Sequence, residues 1–171
     1  MDILAQHFSI TDNGLRACVY ADFIGRQKVK RDSAWASIMQ LCYAEAVLSW
    51  NQLFGQRSQE THWSHLVSQF TIPPEDKLKP FSKEMILRYL SISDEDWGRY
   101  HQSMVDVRNV RIAHLNVAHA IEVLPNITIA MHCCYLYREW LTEVLHFGNR
   151  QGINIKISSD RASDAVKCKS L

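Results

Sequence analysis

The sequence predicts an all-α fold, an antiparallel bundle of four to five main helices. Three observations predict it. Apolar residues recur at three- and four-residue intervals through most of the chain. The periodic stretches open on Ser, Asp or Pro-Asn, and several close on Gly, the residues that start and stop helices. Only residues 153–157, INIKI, alternate in the manner of a short strand or an extended tail.

Taken in order, Asp12 and Asn13 are expected to start a first helix, with Leu15, Cys18, Val19 and Phe23 as its apolar stripe. The segment GRQKVKRD over residues 25–32 is a charged break. Asp32 or Ser33 then caps a long helix over residues 34–54. Its expected inner face is Trp35, Ile38, Met39, Cys42, Ala46 and Trp50, and Gly55 stops it. A polar loop over residues 56–60 leads to a short helix over residues 61–67, capped by Thr61. Pro73, Pro74 and Pro80 mark an extended connection.

Ser82 caps a helix to about Leu90. Ser93 followed by Asp94, Glu95 and Asp96 is a strong start, because acids in a first turn face the positive end of the helix dipole. That helix carries Trp97, Tyr100, Met104 and Val107 on one face and is expected to reach at least Arg111. Residues 115–125 show no clear period. Pro125 and Asn126 open a last helix, with Ile127, Met131, Cys134, Leu141 and Leu145 inside, expected to end near Phe147 at Gly148. Trp50, Trp63, Trp97 and Trp140 at helical spacing are expected in the core. The division is a helical domain over residues 1–150 and an extended or mobile tail over residues 151–171.

The totals suit one domain: 171 residues, 47% hydrophobic and 22% charged. The net charge of +1 argues against a broad phosphate-gripping face, yet leaves room for a local basic cluster. Five cysteines without a CxxC, two of them adjacent at 133 and 134, are not a disulfide framework and suit a reducing compartment. No basic segment followed by an apolar run begins the chain, and no apolar run approaches the roughly 20 residues of a membrane span. A soluble, cytoplasmic protein is therefore expected, with no membrane partner.

Eight histidines invite a metal reading, but no HExxH occurs. His62 and His65, or His114 and His119, find no acidic residue at a completing spacing. No metal site and no cofactor are expected. Phosphate loops and GxSxG elbows are absent as well. What remains is VRNVRIAHLN, residues 107–116. A guanidinium at Arg108 can hold two phosphate oxygens, with Asn109 as a polar helper and Arg111 as a weaker RNA contact. An imidazole at His114 can move the proton of an RNA 2′-hydroxyl near neutral pH. No metal is needed, since RNA carries its own nucleophile. Arg57 and His62 form a rival pair at similar spacing. The basic run Arg26, Lys28, Lys30 and Arg31 reads as a solvated loop.

This segment resembles the signature of the HEPN superfamily, Arg, a polar residue, then His after four to six positions. The abortive-infection and toxin-type branch is the most similar, with its Arg-Asn, three residues and Ala-His. A second patch, SWNQLFG at 49–55 followed by THW at 61–63, is similar to that branch's Trp, Phe-Gly and His-Trp landmarks. The order of landmarks fits across about residues 30–147. The branch often places an Asp soon after the His, where this chain has Leu115 and Asn116. No Tyr stands two residues after His114, which argues against the variety whose Tyr is modified by a nucleotidyltransferase. The resemblance implies a HEPN-like bundle, a homodimer, metal-independent endoribonuclease activity in phage defence or a toxin–antitoxin system, and an antitoxin protein as a further partner. Arg108, Asn109 and His114 would be the reactive group. The alternative is a non-catalytic helical interaction or nucleotide-binding module.

Overall fold

The structure, a computed structural model, describes residues 3–27, 29–30, 32–73, 76–112 and 124–150, with backbone alone at 111 and 112. It is an all-α bundle. The helices are α1 (Ile3–Arg26), α2 (Ala34–Phe54), α3 (Trp63–Val67), α4 (Lys83–Leu90), α5 (Asp94–Asp106) and α6 (Ile127–Arg150). Among the described residues none is long and apolar enough to cross a membrane.

Helix α1 runs antiparallel to both α2 and α6. Gly14 and Gly25 lie against Ser49 and Met39 of α2, while His7 and Gly14 meet Tyr137 and Cys134 of α6. Asp12 does not start a helix. It sits inside α1 and pairs with Arg138 of α6 at 2.7 Å. The first half of the helix escapes an apolar-period search because small and polar residues line its inner face: Leu4, His7, Thr11 and Gly14. Thr11 donates its hydroxyl to the His7 carbonyl at 2.7 Å, so its polar group is satisfied where it is buried.

Two expected stripes are corrected in the same way. Val19 and Phe23 of α1 face outward, as do Trp35 and Ile38 of α2. Both helices carry apolar residues around most of their circumference, so period alone does not choose the inner side. The buried side of α2 is Ala46, Val47, Trp50, Leu53 and Phe54. Ser33 is its N-cap, accepting from the Ala36 amide, and Gly55 ends it.

Ser82 and Ser93 cap α4 and α5 by accepting from Met85 N and Asp96 N. Trp97, Tyr100, Met104 and Val107 are buried. The α-geometry of this segment does not reach Arg111. It gives way at Val107 to a wider π turn over Val107–Ile112. The Asn126 side chain accepts from Thr128 N at the start of α6, and this helix continues through Gly148 to Arg150. Gly148 is buried there as a packing position rather than a stop. The inner face of α6 is Ala130, Cys133, Cys134, Tyr137, Trp140, Leu141, Val144 and Phe147. Ile127, Met131 and Leu145 pack at its margin.

An aromatic cluster joins the helices. Trp50 meets Phe54, Trp97, Tyr100 and His101 with ring centroids 5.5 to 5.8 Å apart. Tyr137 stacks on Trp140 and touches Phe54 and Phe81. Trp63 is half-buried against Phe81. Cys18, Cys42, Cys133 and Cys134 are free thiols, and burial pushes Cys18 and Cys133 up to about 12, which keeps them inert.

Candidate functional site

Helix α2 ends beside the start of the π turn, and Asn51 is the reason. Its side-chain amide is buried and donates to the carbonyls of Val47 at 2.9 Å and Met104 at 3.1 Å. That second bond ties the last turn of α5 to the last turn of α2. Four residues on, Arg108 leaves the turn half-buried. The turn is one residue wider than an α turn, a geometry that occurs mostly singly and often at functional sites.

Gly55 closes the same corner. Its amide donates to the Asn51 carbonyl at 3.0 Å. A Cβ there would lie 2.5 Å from that oxygen and 3.0 Å from Asn51 Oδ1. His101 of α5 donates from Nε2 to the carbonyls of Phe54 at 2.9 Å and Gly55 at 3.1 Å, satisfying groups that a helix end leaves open. Gly55→Ala is therefore expected to cost about 1–3 kcal/mol, read by urea unfolding, because backbone and not a flexible side chain must give way. An unchanged midpoint would contradict this account of the corner.

The loop after Gly55 folds back over α2. Thr61 donates its hydroxyl to the Gln52 carbonyl at 2.9 Å rather than capping α3. The cap of α3 is His62, whose Nδ1 accepts from the Ser64 amide at 3.2 Å and lies 2.8 Å from the Ser64 hydroxyl. Its ring is buried against Trp63, with centroids 5.3 Å apart. Burial first, then the neighbouring His65 and Arg57, bring His62 down to about 4. Arg57 is exposed, and its carbonyl accepts from His65 Nε2 at 2.7 Å. The rival pair thus splits: His62 is a structural cap and Arg57 faces solvent.

Between loop, α2 and π turn lies a cleft of about 500 Å³. Its walls include Leu48, Asn51, Gln52, Gln59, Glu60, Thr61 and Arg108, so one carboxylate, that of Glu60, lines the same cleft. Arg108 donates from Nη1 to Asn109 Oδ1 at 2.7 Å. The Gln59 amide lies between Arg108 Nη2 and the Asn51 carbonyl, and its orientation is assigned from those partners: oxygen toward the guanidinium at 3.0 Å and nitrogen toward the carbonyl at 3.3 Å satisfy both. Among the described residues these contacts use two of the five guanidinium N–H groups. Among the described residues no carboxylate pairs with Arg108. Asp106, the nearest acid in sequence, accepts from Gln102 instead.

Arg108 thus lines the cleft, and its sequence neighbour Asn109 bonds to it. Arg111 lies on the π turn. His114 lies outside the described residues, as do residues 115–123 and the tail over residues 151–171. Gln59 was not singled out by the sequence. The signal that could have found it is its place within the second patch, between the segments 49–55 and 61–63, both of which contribute to the cleft wall. Among the described residues no three His, Cys, Asp or Glu side chains are set to hold a metal ion. Set against family models, curated proteins and solved structures, the chain matches none of them.

Proposed function

We propose that this chain is a metal-independent endoribonuclease of the HEPN type, acting in phage defence or a toxin–antitoxin system. One observation carries the reading. Among the described residues Arg108 pairs with no carboxylate, although Glu60 lines the same cleft, and it stands beside the second patch that resembles the same branch. Among the described residues nothing takes its other three guanidinium N–H groups, which suit phosphate oxygens.

The chemistry follows from the groups. The 2′-oxygen of a ribose attacks the adjacent phosphorus, and the bond to the 5′-oxygen of the next nucleotide breaks. His114 takes the 2′-proton or protonates the leaving oxygen. Arg108 offsets the negative charge that grows on the phosphoryl oxygens, and Asn109 holds Arg108. The products are a 2′,3′-cyclic phosphate and a 5′-hydroxyl.

One motif supplies a single histidine for two proton transfers, so the working unit is a homodimer with two motifs sharing a groove. The outer side of α2 supports this. Ile38, Leu41 and Leu48 are exposed at helical spacing, Leu41 by 70%, and Leu48 also lines the cleft. A second copy seated on this stripe would cover an apolar face that borders the cleft at Leu48. The same stripe favours the second reading, a non-catalytic interaction module that seats a different protein there.

Incubation of the purified chain with total RNA in EDTA tests the proposal, with loss of cleavage on dilution to monomer testing the shared groove. Arg57→Ala is expected to cleave like the parent, since its side chain is exposed and is not among those that line the cleft. Loss of cleavage in a folded Arg57→Ala protein would move the site to the loop.

A further inference from the structure

We propose that Gln59 is a positioning residue that aims the Arg108 guanidinium into the cleft, an inference that rests on the nuclease reading of that cleft. The geometry is a relay. Asn51 is fixed by two backbone carbonyls, one on its own helix and one at the end of α5. Its main-chain oxygen receives the Gln59 amide nitrogen, which sets the orientation of that amide. The amide oxygen then has one direction left, toward Arg108 Nη2.

The backbone of Gln59 is held as firmly as its side chain. Its N–H donates to the Gln56 carbonyl at 3.0 Å, and its carbonyl accepts from the His62 amide at 3.0 Å. His62 is itself buried, and Thr61 is bonded to Gln52. So a side chain on a loop is located as closely as one on a helix. Arg108 then lies between two acceptors, Gln59, itself held, on Nη2 and Asn109 on Nη1. A long flexible side chain held at both nitrogens has lost most of its freedom before substrate arrives, which is what makes a charge-stabilising group effective. A neutral amide suits this task better than a carboxylate. It accepts the same hydrogen bond and leaves the positive charge for the phosphate.

The test uses the full chain and variants at Gln59 and Arg108. Gln59→Ala is expected to lower kcat for RNA cleavage about tenfold, with KM within twofold of the parent. Gln59→Glu is expected to lower it at least as far, because its charge pairs with Arg108. In an Arg108→Lys background, which loses the two-sided hold, Gln59→Ala should cost nothing further. A wild-type kcat in Gln59→Ala overturns the proposal. An equal loss in both backgrounds also overturns it, since that marks a role in the fold alone. An independent readout is the nitrogen-15 spectrum of the Arg108 side chain. Separate Nη signals from restricted rotation are expected in the parent, and their merging in Gln59→Ala. If the parent cuts no RNA, the nuclease reading fails and this spectrum decides the hold by itself. Merged signals in the parent then overturn it, and separate signals lost in Gln59→Ala uphold it.

Discussion

Arg108→Ala and His114→Ala are each expected to reduce RNA cleavage by at least about 10²-fold while moving the unfolding midpoint little. Removing a preorganised donor from a developing negative charge costs about 10²- to 10³-fold, and removing a general acid or base about 10²- to 10⁴-fold. The stability side follows from the surroundings. Arg108 is half-buried, has no ion pair among the described residues, and gives up hydrogen bonds to two side chains that water can replace. Such a change is worth about 1 kcal/mol or less. Cleavage assays paired with thermal melts of the same preparations check both halves. Full activity in His114→Ala would end its assignment as the proton carrier. A large drop in stability in Arg108→Ala would make the arginine a structural residue.

Acid is expected to remove several kcal/mol of stability between about pH 6.5 and pH 4, before most carboxylates titrate. Two buried histidines cause it. His7 is fully buried, bonded through Nδ1 to the Tyr137 hydroxyl at 2.7 Å, and burial with His65 nearby brings it down to about 4. His62 caps α3 through an Nδ1 lone pair that a proton would occupy, and it too is brought down to about 4. Both folded values lie below the unfolded value near 6.5, so the unfolded chain binds protons first as the pH falls. The stability is fully present above about pH 6.5 and is lost down to about pH 4. For His7 the loss is about 3 kcal/mol, a large part of the 5–15 kcal/mol typical of a domain. His62 adds to it in the same direction. Urea unfolding at successive pH values measures the slope. His62→Asn keeps a capping oxygen and removes one titrating group, so its slope should be shallower. Flat stability from pH 7 to pH 4 would contradict the burial of these rings.

The sequence made the helix starts legible where a side chain does the capping. Ser33, Ser82 and Ser93 each accept the amide hydrogen bond that their type and place led one to expect. It was less informative about which side of a helix faces inward. In α1 the inner face holds His7, Thr11 and Gly14, whose polarity or size hides the period, while the apolar Val19 and Phe23 face out. The glycine rule also worked in one place and not another. Gly55 ends α2 because the chain must turn tightly against Asn51, whereas Gly148 is packed inside α6. The π turn had no sequence signal at all. It begins next to a contact across the fold, the Asn51 bond to the Met104 carbonyl, which local patterning does not encode.

The motif singled out Arg108 and Asn109; the fold sets Arg108 in the wall of a cleft with Asn109 bonded to it. It did not single out Gln59, which a loop folding back over α2 brings to Arg108. Asn51 and Thr61 of the second landmark patch line the same cleft, and their individual contacts came only from the three-dimensional arrangement.

The most direct test of the central claim is cleavage, in EDTA, of an RNA oligonucleotide carrying one mapped cut, beside the same oligonucleotide with a single 2′-deoxyribose on the 5′ side of that cut. Attack by the 2′-oxygen predicts that the first is cut to a 2′,3′-cyclic phosphate and that the second stays whole at that position. Equal cutting of both, or no cutting of the first by the wild-type chain, would contradict it.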